Sequence, residues 1–201
     1  MCMDLFEEDY FALINKHDKG FVEYYSNFFT SSEANELFDL INNETEWKRE
    51  KLRMYGKEML IPRDTAWYGD KSYVYSGIEN NPLKWTQTLL EIKDKIENKI
   101  KSPLNSLLIN RYKNGNDKVG WHSDDEPELS SDSPIASLTL GQERDFQFRM
   151  KGITGENITV KPESGSVLIM HPPLQEYWEH SIPPRKGHNN PRINLTFRHI
   201  K

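Results

Sequence analysis

Cysteine is almost missing from this chain: Cys2 is the only one among 201 residues. A single thiol closes no internal disulfide, which fits a reducing compartment, and it offers no cysteine cluster for zinc or iron–sulfur chemistry. Any metal must sit on nitrogen and oxygen ligands. Long apolar runs are missing as well. None approaches the roughly 18 residues that a membrane helix needs, and the opening residues, with Asp4, Glu7, Glu8 and Asp9, are acidic where a signal peptide is basic. The expectation is a protein that stays where it is made, cytoplasmic or nuclear, with no membrane partner. An excess of positive charge is absent too: the formal net charge of −5 argues against non-specific coating of nucleic acid, because neutralising phosphates takes lysine and arginine. Nor is there an internal repeat, a heptad run or a low-complexity tract. What remains, 201 residues with 36% hydrophobic content, suits a single domain over residues 1–201 with a sizeable core, expected to act as a monomer.

Basic charge is nevertheless concentrated in places. Lys48, Arg49, Lys51, Arg53, Lys57 and Arg63 stand against Glu50 and Glu58 alone, and Arg185, Lys186, His188 and Arg192 form a second basic stretch. A solvated face explains either stretch, taken alone, about as well as a polyanion contact does. Residues 1–20 are polar without a clear period and read as a flexible tail. Residues 21–25 read as a short strand. Thr30, Ser31, Ser32 and Glu33 make a capping box, after which Leu37, Leu40 and Ile41 recur at helical spacing to about Asn43. From Asn81 and Pro82 to Lys101, the residues Trp85, Leu89, Ile92, Ile96 and Ile100 form one apolar stripe, predicting a helix packed on a sheet. After Pro103, strand signals take over at 106–112, 135–140, 146–150, 158–161, 166–170 and 193–198. Helices followed by many short strands predict an α+β chain whose core, over residues 102–201, is a double-stranded β-helix, or jelly roll.

The last strand carries the chemistry. A period of two puts Arg192, Asn194, Thr196 and Arg198 on one face and Ile193, Leu195 and Phe197 on the other. Two guanidinium groups on the polar face of a half-buried strand call for a counter-charge, and their planar fork fits a carboxylate. An ion pair with Asp or Glu inside the barrel is the alternative to a bound anion. Upstream, His122 and Asp124 are two residues apart and point to one side of an extended segment. Such an H-x-D pair arises by accident in roughly a third of chains of this composition, so it needs company. His180 follows 58 residues later. Two imidazoles and one carboxylate form the facial triad that leaves open positions on octahedral Fe(II). Each histidine alone has an ordinary structural or surface role as its commoner explanation, and His17, His188 and His199 receive no catalytic one. His171 is a rival ligand, but it follows a strand directly and is trailed by Pro172 and Pro173, so His180 is preferred.

Taken together, these segments resemble the AlkB family of Fe(II)- and 2-oxoglutarate-dependent dioxygenases over about residues 50–201. The matching pieces are Asn110-Arg111-Tyr112, His122 with Asp124, the run from Pro134 to Leu138, Arg144-Asp145-Phe146 with Phe148, Gly165-Ser166 with Leu168, His180 to Pro183, and the strand from Arg192 to Arg198. The resemblance implies the jelly-roll fold, with iron on His122, Asp124 and His180. It also implies 2-oxoglutarate held by Asn110, Tyr112, Arg192, Asn194 and Arg198, the two arginines facing its two carboxylate ends, with O2 as cosubstrate. The implied reaction is oxidative removal of an N-methyl group from a nucleic-acid base, most simply in DNA and alternatively in RNA, releasing formaldehyde, succinate and CO2.

Substrate recognition is placed, again by resemblance, in a lid over residues 48–77. A base buried in a duplex cannot reach an active-site metal unless it is flipped out or presented in a single strand. Met54, Tyr55 and Gly56 look like the tip of the hairpin with which duplex-acting relatives probe the stack, with Tyr55 as the inserting residue. Arg63 would contribute from the same lid. Tyr73 and Tyr75 would stack on the flipped base, although ordinary cross-strand aromatic packing explains them too. Asp125 and Glu126 match acidic positions that contact the exocyclic amine of the base, a solvated turn being the other reading of Glu126. A nucleic-acid binding module that has lost turnover is the non-enzyme alternative, and the intact ligand triad and paired arginines argue against it.

Overall fold

The computed structural model describes residues 10–16, 18–49, 51–54, 57–71, 73–75, 78–153 and 155–201, and for 51–54, 57–59, 73–75 and 78–80 the backbone alone. Tyr55, proposed as the inserting tip, lies outside the described residues, as do the side chains of Tyr73 and Tyr75. Two antiparallel sheets face each other. The larger has seven strands: β1 (Tyr10–Lys16), β2 (Gly20–Tyr25), β5 (Asp64–Gly69), β8 (Ser106–Tyr112), β10 (Ile135–Gly141), β13 (Val167–His171) and β15 (Arg192–Arg198), in the spatial order β1-β2-β13-β10-β15-β8-β5. The smaller has four: β9 (Val119–His122), β11 (Phe146–Met150), β12 (Ile158–Val160) and β14 (Trp178–Ile182), in the order β12-β11-β14-β9. Two short hairpins, β3 (Lys51–Met54) with β4 (Lys57–Leu60) and β6 (Tyr73–Tyr75) with β7 (Ile78–Asn80), stand apart from both sheets.

The large sheet buries apolar side chains on both faces, but different ones. Leu107, Ile109, Ile193, Leu195 and Phe197 point outward to a core closed by helices α1 (Ser31–Glu44) and α2 (Gln87–Ile100). Their alternates on β15 point inward, between the sheets, where Tyr112, Ile135, Phe146, Phe148, Met170 and Ile182 form a second apolar cluster. The strand from Arg192 to Arg198 thus has its apolar face against helices and its polar face inside the roll, in the period-two register read from sequence. Helix α1 begins where the capping box places it: the Thr30 hydroxyl accepts from the Glu33 amide at 3.3 Å and the Thr30 amide donates to Glu33 Oε2 at 2.7 Å.

Three expectations need correction. Residues 10–16 are not part of a flexible tail but the edge strand β1, paired along its length with β2. Their periodicity is weak because both faces of this edge strand are largely exposed, with Tyr10 44% and Phe11 48% accessible and Ile14 alone buried. Helix α2 starts at Gln87, not near Pro82. Leu83 is drawn out of the helix by bonds with β5, its amide donating to the Trp67 carbonyl at 2.8 Å and its carbonyl accepting from the Gly69 amide at 3.2 Å, and Thr86 then caps the helix. Finally, residues 64–69 within the stretch read as a lid are β5, a buried edge strand registered on β8 from Asp64↔Arg111 to Gly69↔Ser106. Cross-sheet pairing of this kind is invisible to local pattern, since a strand needs its neighbour to bury one side.

Candidate metal and anion site

His122 ends β9 and His180 lies in the middle of β14, and the two are direct cross-strand partners although 58 residues separate them. Their ring centroids are 4.3 Å apart. Asp124, two residues past His122, turns its carboxylate to the same point, 3.9 Å from His122 Nε2. Ligand atoms of His122, Asp124 and His180 all lie within 4.8 Å of one another, a spread that suits one octahedral ion with three positions left open. His171, the rival ligand, is instead bonded to Glu23 at 2.6 Å on the far side of β13.

Each ligand is oriented by a partner. His122 Nδ1 lies 2.9 Å from the Gly120 carbonyl, which can only accept; the proton therefore sits on Nδ1 and the Nε2 lone pair is free for a metal. The Asp124 amide donates to Gln175 Oε1 at 3.0 Å, and Asp124 Oδ2 accepts from Arg198 Nε at 3.2 Å and Nη2 at 2.8 Å. Burial by itself would raise the Asp124 pKa, but the Arg198 guanidinium and the two imidazoles outweigh it and hold the carboxyl at about 2. His180, stacked on Phe146 at 5.4 Å, is driven the other way. Burial pushes it down to about 4, against the opposing pull of Asp124. The metal-free site is thus a neutral imidazole beside an ionised carboxylate, the protonation states in which these groups bind metal.

This carries a pH prediction. A histidine whose folded pKa lies below its unfolded value contributes stability that is complete above pH 6.5 and is lost as the pH falls towards 4. Urea unfolding of the metal-free protein should show a loss on the order of 3 kcal/mol across that window. The slope should flatten in His180→Asn, and an unchanged slope in that variant would assign the titration elsewhere.

At the other end of β15, six residues from Arg198 on the same inward face, the site changes character. Arg192 is 1% exposed and its guanidinium Nη2 donates to Thr139 Oγ1 at 2.8 Å and to Asn194 Oδ1 at 2.7 Å. Ser137 donates to the same Asn194 oxygen at 3.0 Å, and Asn194 Nδ2 donates to Thr196 at 2.8 Å. Arg192 Nε and Nη1 have no hydrogen-bond partner among the described residues. A buried guanidinium edge with no acceptor is costly to keep, and burial lowers its pKa to about 10. It is built to receive an acceptor oxygen, best a carboxylate. The pocket that these donors face is lined by Asn110, Tyr112, Asn194, Arg198 and the three candidate ligands, so one dicarboxylate reaching from the metal to Arg192 fits the chemistry of both ends.

Of the residues singled out from sequence, the structure brings together His122, Asp124, His180, Asn110, Tyr112, Arg192, Asn194 and Arg198. Arg63 also lines this pocket, donating to Asn110 Oδ1 at 2.6 Å, so its place is against the anion site and not out on a lid. Arg198 is engaged by Asp124, which makes it a support of the metal end. Asp125 is exposed and paired with Lys151 at 3.1 Å, and Glu126 is exposed beside it. The basic stretch around residue 49 is less free than its charge count suggests, since Arg49 pairs with Asp64 at 3.1 Å and Asp117 at 3.3 Å. Sequence reasoning missed Ser137, Thr139 and Gln175. The first two had a signal, as polar residues at period two in the otherwise apolar strand Ile135–Gly141; Gln175 had none.

The chain matches the family model for the 2OG-Fe(II) oxygenase superfamily over residues 21–198. It is 38% identical over 188 residues to the DNA oxidative demethylase ALKBH2 of Homo sapiens, covering 88% of this chain and 72% of that one. It is likewise 38% identical over 183 residues to alkB homolog 3, an alpha-ketoglutarate-dependent dioxygenase of Bos taurus, covering 86% of this chain and 64% of the relative. The solved structure of OsALKBH1 superposes with a TM-score of 0.62 at 17% identity, over 89% of this chain and 96% of that one.

Proposed function

Because this chain belongs to the AlkB family within the 2OG-Fe(II) oxygenase superfamily, we propose that His122, Asp124 and His180 hold its iron and that Arg192 anchors its 2-oxoglutarate. The chain is an Fe(II)- and 2-oxoglutarate-dependent DNA oxidative demethylase. The observation that carries the site assignment is the pair of unpartnered donors on buried Arg192, in one pocket with a His-Asp-His cluster. We assign it bases of the 1-methyladenine and 3-methylcytosine type as substrates, and an intracellular location as a monomer.

Iron, when bound, supplies the activation of O2 that oxidises the N-methyl carbon. Overall, 2-oxoglutarate, O2 and an N-methyl base become succinate, CO2 and an N-hydroxymethyl base, which loses formaldehyde to leave the unmodified base. This chain's residues contribute position and field. Arg198 and Gln175 fix Asp124 at the metal point, and the Gly120 carbonyl fixes the tautomer of His122. Arg192, with Asn110 and Tyr112, would hold the distal carboxylate of the cosubstrate and leave its keto acid end for the ligand triad. The enclosing apolar residues Phe146, Met170 and Ile182 keep bulk water from the reacting centre.

The test is release of formaldehyde and of repaired base from oligonucleotides carrying 1-methyladenine, as duplex DNA, single-stranded DNA and matched RNA, with Fe(II), ascorbate and 2-oxoglutarate. Release from DNA that needs both iron and 2-oxoglutarate is expected. Turnover confined to the RNA strand would move the substrate class, and 2-oxoglutarate consumption with every oligonucleotide left intact would refute the lesion assignment.

A further inference from the structure

Arg144 is 2% exposed, lies outside the pocket lining, and has no role in the site as described so far. Its guanidinium makes no direct ion pair among the described residues. Instead Nη1 donates to the Asn114 carbonyl at 3.1 Å, and Nη2 donates to the carbonyls of Asp117 at 2.9 Å and Pro183 at 2.7 Å. Those carbonyls belong to the two chain segments that close the Arg192 end of the roll. The same segments are locked to each other: the Gly115 amide donates to the His188 carbonyl at 2.7 Å and the Arg185 amide donates to the Gly115 carbonyl at 2.7 Å. Their backbones approach so closely that a Cβ on Gly115 would fall 1.7 Å from the Arg185 oxygen.

Arg144 also faces the pocket indirectly, through Tyr112. The Arg144 guanidinium carbon is 5.9 Å from the Tyr112 ring centroid and that of Arg192 is 5.5 Å from the same centroid. Tyr112 is buried and opposite Arg192 in the β8–β15 register. One aromatic ring therefore has two buried cations around it, no farther apart than those two distances laid end to end. Two like charges this close in a low-dielectric interior repel each other. A carboxylate at the Arg192 end offsets that repulsion.

We propose that Arg144 is a positioning residue for 2-oxoglutarate, clamping Tyr112 and the 113–118 and 183–188 segments around Arg192 and adding a second positive charge behind the cosubstrate's distal carboxylate. This rests on the reading of Arg192 as the anchor for that carboxylate. The role is selective. Oxalate, which chelates a metal as the keto acid end does but carries no distal carboxylate, gains nothing from Arg144.

Calorimetric titration of the Fe(II)-loaded protein without O2, using 2-oxoglutarate and oxalate in turn, separates the cases for wild type, Arg144→Met, Arg144→Lys and Arg192→Met. Arg144→Met should weaken 2-oxoglutarate about tenfold, the size of one partly screened charge interaction, with oxalate within about twofold of wild type. Lysine keeps the charge but cannot bridge three carbonyls, so Arg144→Lys should lose about threefold for 2-oxoglutarate alone. Should the methionine variant fail to fold, the lysine variant decides. Unchanged 2-oxoglutarate affinity in the folded variants, or equal weakening of oxalate, would overturn the proposal and leave Arg144 a purely structural clamp. Failure of Arg192→Met to weaken 2-oxoglutarate would overturn the pocket assignment itself.

Discussion

Replacing Arg192 by methionine is expected to weaken 2-oxoglutarate binding by about 10²–10³-fold while leaving the cosubstrate-free protein as stable as wild type or more so. The two effects have opposite signs for one reason. In the free protein the Arg192 guanidinium is fully buried, satisfies only Thr139 and Asn194, and leaves Nε and Nη1 without acceptors. Burial has lowered its pKa well below the ordinary guanidinium value, to about 10, an unrelieved cost on the order of 3 kcal/mol. Methionine fills similar volume without that cost, and Asn194 keeps its bonds to Ser137 and Thr196. With 2-oxoglutarate bound as proposed, the same edge would meet a carboxylate in a water-poor pocket, and losing a charge-assisted, bidentate contact there would be expensive. Thermal unfolding with and without saturating 2-oxoglutarate reads both at once. Wild type should gain stability with ligand and the variant should not. A variant that is destabilised when free but binds normally would reverse the assignment of Arg192 from ligand anchor to core support.

Asp124→Ala should reduce turnover by about 10³-fold or more, through loss of bound iron, and should also destabilise the metal-free protein by about 3 kcal/mol. The first effect follows from removing the one carboxylate among three ligands. The second follows from Arg198, whose side chain is only 15% exposed and whose Nε and Nη2 both donate to Asp124; without the carboxylate a mostly buried cation is left unpaired. The pH dependence of the second effect has a defined sign. Because Asp124 titrates at about 2 in the fold against 3.8 ordinarily, its contribution is complete above pH 3.8 and disappears as the pH falls towards 2. The stability gap between wild type and variant should therefore be constant at neutral pH and close in strong acid. Asp125→Ala is the comparison, since the exposed Asp125–Lys151 pair is worth no more than about 1 kcal/mol. Full iron content and turnover in Asp124→Ala would mean that the metal sits elsewhere.

Much of this is legible in the sequence. The period-two split of the last strand assigned Ile193, Leu195 and Phe197 to the core and Arg192, Asn194, Thr196 and Arg198 to the interior of the roll, because side-chain alternation along a strand is a local property. The capping box at Thr30 was legible for the same reason, as was the apolar stripe of Leu89, Ile92 and Ile96. The candidate metal ligands His122, Asp124 and His180 were read from their order and spacing together with the strand, and the structure brings the three together; the resemblance to the family followed from those motifs.

Other features depended on partners distant in sequence. Residues 10–16 become a strand only because β2 lies beside them, and Asp64–Gly69 joins the large sheet only because β8 offers its edge; neither segment carries enough apolar alternation to announce itself. Leu83 leaves the expected helix because β5 is within reach. Arg63 turns inward to Asn110, and Arg198 supports the metal end by bonding Asp124. The unmet donors of Arg192 and the three-carbonyl grip of Arg144 exist only where β8, β10 and β15 meet the 113–118 and 183–188 segments. Sequence determined which residues carry the chemistry and which way each strand faces, since those follow from residue type and local period. Only the tertiary structure decided which polar groups are satisfied and which are left waiting for a ligand, because hydrogen-bond satisfaction in a buried site is settled by neighbours brought together from across the chain.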